Sequence, residues 1–170
     1  MVVKSYLSRK TKMITALFTL LFITIFAFAG NGIVNHGHLI GLNITIIVVT
    51  MGVYLFAYFN QSRALELTNT ELIIHTRRRD IHINIADIIE IEATKGGFKD
   101  QIRVWGINGL FGAQGIYYSK IQRKRYQYFV TNYKERFRIE TKTKNYMVSC
   151  ENHLQFIQLV KEAKAKLGHN

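Results

Sequence analysis

The sequence predicts a two-helix transmembrane hairpin followed by a mainly-β domain that ends in one α-helix. Residues 13–62 contain no Lys, Arg, Asp or Glu, and two long apolar segments lie within this uncharged stretch. After it, apolar and polar residues alternate with the period of two that is typical of half-buried strands. From about residue 150 the apolar residues recur instead at helical spacing.

The two apolar segments are predicted to be membrane spans at about residues 13–34 and 39–59, joined by a short turn. A helix needs about 20 mostly apolar residues to cross a bilayer, and a charged residue at its centre costs about 3 kcal/mol. One alternative is a signal peptide with a cleavage site at residues 27–29, but a second apolar segment follows. The other is a soluble helical hairpin, but neither helix has a polar face.

The basic residues predict the orientation of the hairpin. The basic N-terminus, residues 1–12, contains four Lys or Arg and no acid, and basic residues resume at Arg63. Because Lys and Arg concentrate on the cytoplasmic side, we expect a multi-pass protein of the inner cell membrane with both termini cytoplasmic and an external turn. The net charge of +12 then faces the anionic leaflet of the bilayer. The alternative is that this charge only sets topology and solubility.

Eight strands are predicted after the second span. In a representative one, Asp80–Ile85, the side chains of Ile81, Ile83 and Ile85 alternate with polar residues. Closely spaced, half-buried strands favour an antiparallel meander. The predicted strands are residues 63–68, 71–76, 80–85, 88–94, 101–107, 125–131, 136–141 and 145–148.

A C-terminal helix is predicted over Cys150–Leu167, with Ser149 as its N-cap. Phe156 and Val160 belong to the apolar side that this helix turns toward the strands. Cys150 is the only cysteine, so no intramolecular disulfide can form. Its position after an apolar strand predicts a packed thiol rather than a nucleophile.

About seven strands followed by one amphipathic helix resemble the pleckstrin-homology (PH) plan. Local motifs are similar to those of bacterial PH-like domains that follow one or two transmembrane helices. These motifs are the strand–turn–strand segments at residues 65–74 and 83–92, the glycine-rich segments 109–112 and 115–118, and the strand end at 129–132. The resemblance covers residues 62–167 and implies a PH-like barrel with the C-terminal α-helix plugging one open end.

Two basic groups at predicted turns are candidate contacts for anionic lipids or a protein partner. They are Arg77, Arg78 and Arg79, and Lys120, Arg123, Lys124 and Arg125. Clustered Lys and Arg on a membrane-tethered domain attract anionic head groups, and the alternative is an ordinary solvated charge run. The first turn, Asn69-Thr70, is neutral and departs from the basic first loop of eukaryotic relatives. Nucleic acid is not an expected partner, because no nucleic-acid-binding module is recognisable.

A glycine-rich segment carries the remaining candidate residues. Its glycines recur every third residue from Gly106 to Gly115 and predict a long irregular loop, with a phosphate-binding nest as the alternative. Its apolar side chains are expected to pack over the barrel, to enter the bilayer interface or to receive a partner. These candidate residues are Trp105, Leu110, Phe111, Tyr117 and Tyr118.

The short connection between the second span and the first strand restricts where this segment can lie. Only residues 60–62 intervene, and three residues reach at most about 10 Å. The domain is therefore expected against the bilayer surface, where Trp and Tyr are favoured. We expect four aromatic residues of the segment to approach the interface or to contact the ends of the two helices: Trp105, Phe111, Tyr117 and Tyr118.

The sequence contains no catalytic signature. HExxH, GxSxG and CxxC are absent, and the six histidines form no metal-ligand set. We therefore expect no enzyme, no cofactor and no metal. The predicted function is a non-catalytic PH-like interaction or scaffold module on the cytoplasmic face of the membrane. The alternative is a module that binds anionic lipid head groups through the basic turns.

Overall fold

A computed structural model describes residues 1–35, 40–94 and 100–167. It contains three α-helices and ten strands within these ranges, and a short 3₁₀ turn at Ile85–Asp87. The helices are α1 (Arg9–Asn35), α2 (Ile40–Phe59) and α3 (His153–Leu167). The strands are β1 (Val2–Lys4), β2 (Ser62–Leu67), β3 (Glu71–Thr76), β4 (Asp80–Asn84), β5 (Ile88–Ala93), β6 (Gln101–Gly109), β7 (Gly112–Ser119), β8 (Lys124–Val130), β9 (Arg136–Thr141) and β10 (Asn145–Ser149).

Helices α1 and α2 are long and apolar enough to cross a membrane. Only 6% of the apolar window of each helix is buried within the protein, whereas the core helix of a soluble protein would be mostly buried. The two helices contact each other through aromatic side chains, with the rings of Phe22 and Tyr54 edge to face at 5.7 Å. The external turn was predicted at Gly30–His38, but its first part, through Asn35, is helical and belongs to α1. Its remaining residues, 36–38, lie outside the described residues.

The strands form two sheets, which are not closed into the predicted barrel. The first sheet has the order β1-β2-β3-β4, and the second has the order β5-β9-β10-β8-β7-β6. The 3₁₀ turn Ile85–Asp87 carries the chain from one sheet to the other, so β4 and β5 remain edge strands. The sheets pack face to face without hydrogen bonds that would join these edges among the described residues.

The predicted purely antiparallel meander is also wrong, because β8 and β10 are parallel. Strand β10 forms an antiparallel hairpin with β9 and then occupies the place between β9 and β8. The hairpin fixes the direction of β10, and that direction coincides with the direction of β8. A local alternation of residues carries no information about this insertion.

The main core lies between the sheets and under α3. Leu65, Leu72 and Ile74 from the first sheet meet Phe137 and Ile139 from the second, all fully buried. Helix α3 contributes its buried apolar side, Phe156, Ile157 and Val160, as its periodicity predicts. Cys150 is buried in the same core, and burial raises the pKa of its thiol to about 12.

Helix α3 begins at His153, three residues later than predicted, because Ser149 does not cap it. Ser149 is the last residue of β10. Its hydroxyl accepts hydrogen bonds from the backbone N–H groups of Thr131 and Asn132, at 2.9 and 3.1 Å. The serine therefore ties β10 to the end of β8 rather than starting the helix.

The N-terminus is part of the domain, which the sequence did not reveal. Strand β1 pairs antiparallel with β2, with Val3 opposite Leu65. The Ser5 hydroxyl donates to the Ser149 carbonyl at 2.7 Å, and the Thr11 hydroxyl donates to the Thr131 carbonyl at 3.1 Å. The first turn of α1 is thus attached to the domain, and α2 is attached by the short connection to β2.

Candidate functional site

The glycine-rich segment is a β-hairpin rather than the predicted irregular loop. Strands β6 and β7 pair along their length, with Gly106 opposite Gly115 and Gly109 opposite Gly112. These glycines have φ between +117° and +121°, a backbone conformation that residues other than glycine rarely adopt. A Cβ on Gly112 would collide with the carbonyl oxygen of Val130 on β8. The glycines therefore allow the close pairing of β6, β7 and β8.

The tip of this hairpin is wedged between α1 and α2. The Phe111 ring packs edge to face on Tyr54 and Tyr58 of α2, with centroids 5.5 and 5.7 Å apart. Its backbone N–H donates to the Thr15 hydroxyl of α1 at 3.0 Å. Leu110 is buried in the same cluster. Phe111 has a φ of 56°, unusual for a bulky residue, and its contacts with the helices offset that strain.

Trp105 lies farther along the hairpin and also contacts α2. Its ring packs edge to face on Phe56, with centroids 4.9 Å apart, and 58% of the residue is exposed. Ile102, Val104 and Ile116 are also exposed on the hairpin. The hairpin therefore presents exposed apolar side chains beside α2.

The two candidate tyrosines of the hairpin lie on β7, within the second sheet. Tyr117 is buried, stacks on Tyr128 with centroids 4.2 Å apart, and donates to the Ile107 carbonyl at 3.2 Å. Burial raises the pKa of Tyr117 to about 12. Tyr118 is half-buried and pairs with Arg125 of β8. Alternation along β7 turns Tyr117 to the face opposite Ile116, which is the cross-strand partner of Trp105.

The structure brings residues of the two basic groups to one cavity. Arg79, at the β3–β4 turn, lines it together with Lys124 and Arg125 at the start of β8. Lys144, in the β9–β10 turn, is a fourth lining cation that the sequence reasoning missed. The cavity, called the basic cavity below, has a volume of about 530 Å³. The sequence feature that could have indicated Lys144 is the Lys-rich turn between the strands predicted at residues 136–141 and 145–148.

Most of the positive charge in the basic cavity is uncompensated. Lys124 pairs with Glu140, whose second carboxylate oxygen accepts from the Tyr126 hydroxyl. Burial raises the pKa of Glu140, but the hydrogen bonds from Lys124 and Tyr126 lower it more, so the carboxylate stays ionised. Among the described residues, no carboxylate oxygen lies within 4.0 Å of the cationic groups of the other three lining cations, Arg79, Arg125 and Lys144.

The β3–β4 turn, which contributes Arg79 to the basic cavity, contacts the end of α2. The Arg77 guanidinium stacks over the Tyr58 ring at 4.2 Å, and Tyr58 is one residue from the end of that helix. Arg78 is exposed at the same turn. Lys120 and Arg123 lie in the β7–β8 turn and do not line the cavity.

The histidines of the first sheet bind carboxylates. The two ring nitrogens of His75 lie 2.9 Å from oxygens of Glu66 and Asp80. Burial lowers the pKa of His75, but the hydrogen bonds to these carboxylates raise it more, and the net pKa is above its ordinary value. His82 contacts Glu71 instead. Within residues 1–35, 40–94 and 100–167, no group of three His, Cys, Asp or Glu residues could hold a metal ion.

Comparison with known proteins identifies the fold family. Residues 63–164 match the family described as bacterial PH domain, which is more than half of the chain. No curated protein and no solved structure matches the sequence. The matched range contains both sheets except β1, together with most of α3. The chain therefore belongs to the bacterial PH domain family, with two long apolar helices preceding the domain.

Proposed function

We propose that this protein is a non-catalytic module, anchored in the inner cell membrane by α1 and α2, that binds anionic lipid head groups in the basic cavity. The observation that carries the proposal is the convergence of Arg79, Lys124, Arg125 and Lys144 in one cavity, while Arg77 of the same turn as Arg79 stacks on Tyr58 of α2. A PH-like domain fits an interaction or lipid-binding module. The cavity favours lipid binding over a protein scaffold, because it concentrates one sign of charge and one of its turns contacts the end of α2, the proposed second span.

The proposed topology places both termini in the cytoplasm. Strand β1 precedes the two helices and β2 follows them, yet these strands pair with each other. The chain must therefore return to the side from which it entered. The basic residues flanking the helices favour the cytoplasm as that side.

The chemistry of the basic cavity suits a phosphate group. Arg donates two parallel hydrogen bonds to phosphate oxygens, and charge-assisted bonds of this kind are about twice as strong as neutral ones. Each Lys or Arg near an anionic leaflet contributes about 1 kcal/mol of attraction. Because Glu140 neutralises only Lys124, the cavity keeps a net positive charge that an anionic head group would balance.

Labelling of introduced cysteines tests the topology. Cys150 is buried, so an impermeant maleimide should not react with the unmodified protein in intact cells. A cysteine replacing Val34, 81% exposed at the end of α1, should react from outside. A cysteine replacing Lys142, in the β9–β10 turn, should react only after the cells are permeabilised. Reaction of the Lys142 variant in intact cells would contradict the proposed orientation.

Charge reversal in the basic cavity tests head-group binding. We expect the variant Arg79→Glu with Lys144→Glu to lose at least about tenfold in affinity for a fluorescent phosphatidic acid, measured on the full chain in detergent micelles. Two lost attractions and two new repulsions of about 1 kcal/mol each exceed the 1.4 kcal/mol of a tenfold change. Added salt should weaken binding to the unmodified protein.

The matched control is Lys120→Glu with Arg123→Glu. It makes the same change in net charge in a turn that does not line the basic cavity. We expect this control to lose much less affinity than the cavity variant. Equal losses would mean diffuse electrostatic attraction without a site, and unchanged affinity in both variants would favour a protein scaffold.

A further inference from the structure

One face of the second sheet connects the basic cavity with the surface of α2. Gln127 of β8 and Ile116 of β7 line the cavity and are cross-strand partners. Ile116 is also the partner of Trp105 on β6. Paired residues in a sheet point to the same face, so these three side chains form a row. Two strand spacings, about 10 Å in all, separate its ends.

The row ends at an apolar groove between α2 and β6. The groove has a volume of about 680 Å³ and is walled on one side by Val49, Gly52, Val53 and Phe56 of α2. The residues of β6 on the other side include Val104, Trp105 and Ile107. Among the described residues, Arg103 is the only charged residue that lines the groove. We call this the α2–β6 groove.

The groove runs along α2 from near the end of the helix toward its middle. Phe56 lies three residues before the end of α2 and Val49 lies seven residues earlier. At 1.5 Å per residue, the groove therefore covers about 10 Å of helix. This is the part of α2 that faces hydrocarbon if the helix spans a bilayer. The groove is thus continuous with the lipid-facing surface of the helix.

We propose that the two sites hold one molecule, an anionic glycerophospholipid with its phosphate in the basic cavity and an acyl chain in the α2–β6 groove. This inference rests on the proposed head-group binding and adds the identity of the ligand as a membrane-resident lipid. Charge complementarity selects the head group, and the apolar walls receive the chain. The exposed Trp105–Ile116 pair is the bridge between the two parts.

Quenching of Trp105 by brominated acyl chains tests the inference. Trp105 is the only tryptophan of the chain and lines the groove. The full chain is reconstituted in vesicles that contain phosphatidic acid and a zwitterionic test lipid at equal small mole fractions. The phosphatidic acid is brominated in one preparation, and the zwitterionic test lipid is brominated in the other. We expect the brominated anionic lipid to quench at least about twofold more, because the cavity enriches it beside Trp105. Equal quenching would overturn the proposal.

The variant Gly52→Leu fills the groove and should bring the quenching ratio of the two brominated lipids to one. A Cβ at Gly52 meets no atom within 4 Å, so the protein has room for the side chain. Gly41→Leu is the matched control, since Gly41 is equally open on α2 but does not line the groove. It should keep the ratio of the unmodified protein. An unchanged ratio in Gly52→Leu would contradict the acyl-chain site.

The head-group measurement separates failure of this inference from failure of the proposed function. Suppose that phosphatidic acid binds in micelles and binds more weakly to the cavity variant, while the two brominated lipids quench Trp105 equally. In that case the head-group site stands and the acyl-chain site is wrong. If phosphatidic acid does not bind at all, both are wrong. If the cavity variant Arg79→Glu with Lys144→Glu also brings the quenching ratio to one, the two parts hold the same lipid.

Discussion

Replacing Phe111 with alanine is expected to lower the thermal unfolding midpoint of the full chain in detergent micelles by about 6–20 °C. The ring fills the space between α1 and α2 against Tyr54 and Tyr58. Deleting a buried phenylalanine ring costs about 3–5 kcal/mol, and each kcal/mol lowers the midpoint by about 2–4 °C for a protein of this size. The fluorescence of Trp105, which packs on Phe56, should report the release of the hairpin from α2.

A second phenylalanine provides the control for this prediction. Phe28 lies on α1 and is 74% exposed, so Phe28→Ala removes the same ring from a position without comparable packing. We expect its unfolding midpoint to stay close to that of the unmodified protein. If Phe111→Ala and Phe28→Ala unfold at the same temperature, the hairpin tip does not stabilise the attachment of the domain to the helices.

Replacing Gly112 with valine is expected to disrupt the pairing of β7 with β8. The position has a φ of +118°, and the added Cβ would collide with the backbone of Val130. A residue held in such a conformation costs about 1–3 kcal/mol, and overpacking against a backbone atom costs a similar amount. The sum, about 2–6 kcal/mol, is comparable with the free energy of unfolding of a domain at the lower end of the usual range of about 5–15 kcal/mol. Loss of the cooperative unfolding transition, followed by circular dichroism, is the expected result.

The control for the glycine prediction is Gly30→Ala. Gly30 lies in α1, and a Cβ there meets no atom within 4 Å. Alanine also favours helix over glycine by about 1 kcal/mol, so this variant should unfold no earlier than the unmodified protein. A Gly112→Val variant that unfolds like Gly30→Ala would show that the bent hairpin tolerates a side chain at its tip.

The sequence by itself determined the two apolar helices, most strands and the C-terminal helix. The absence of charge over residues 13–62 restricts the environment of that stretch, since charged groups are costly in any apolar surrounding. An element that buries one face shows it in its own sequence, as apolar residues at every second position of a strand or at helical spacing. This pattern identified β3, β4, β5, β9 and α3. The basic residues at the β3–β4 and β7–β8 turns were also identified from the sequence, because they lie between neighbouring predicted strands.

Only the tertiary structure decided the candidate site. Gly112–Ser119 became strand β7 because β6 and β8 flank it, although its glycines suggested a loop. Lys144 joined Arg79 and Lys124 because β10 inserts between β9 and β8, which no local pattern records. The short connection to β2 led us to expect Phe111 near the helices, but its partner Tyr54 lies far away in the sequence and no local pattern indicates it. Periodicity reports which face of an element is buried, whereas strand order and the meeting of distant turns depend on contacts between elements.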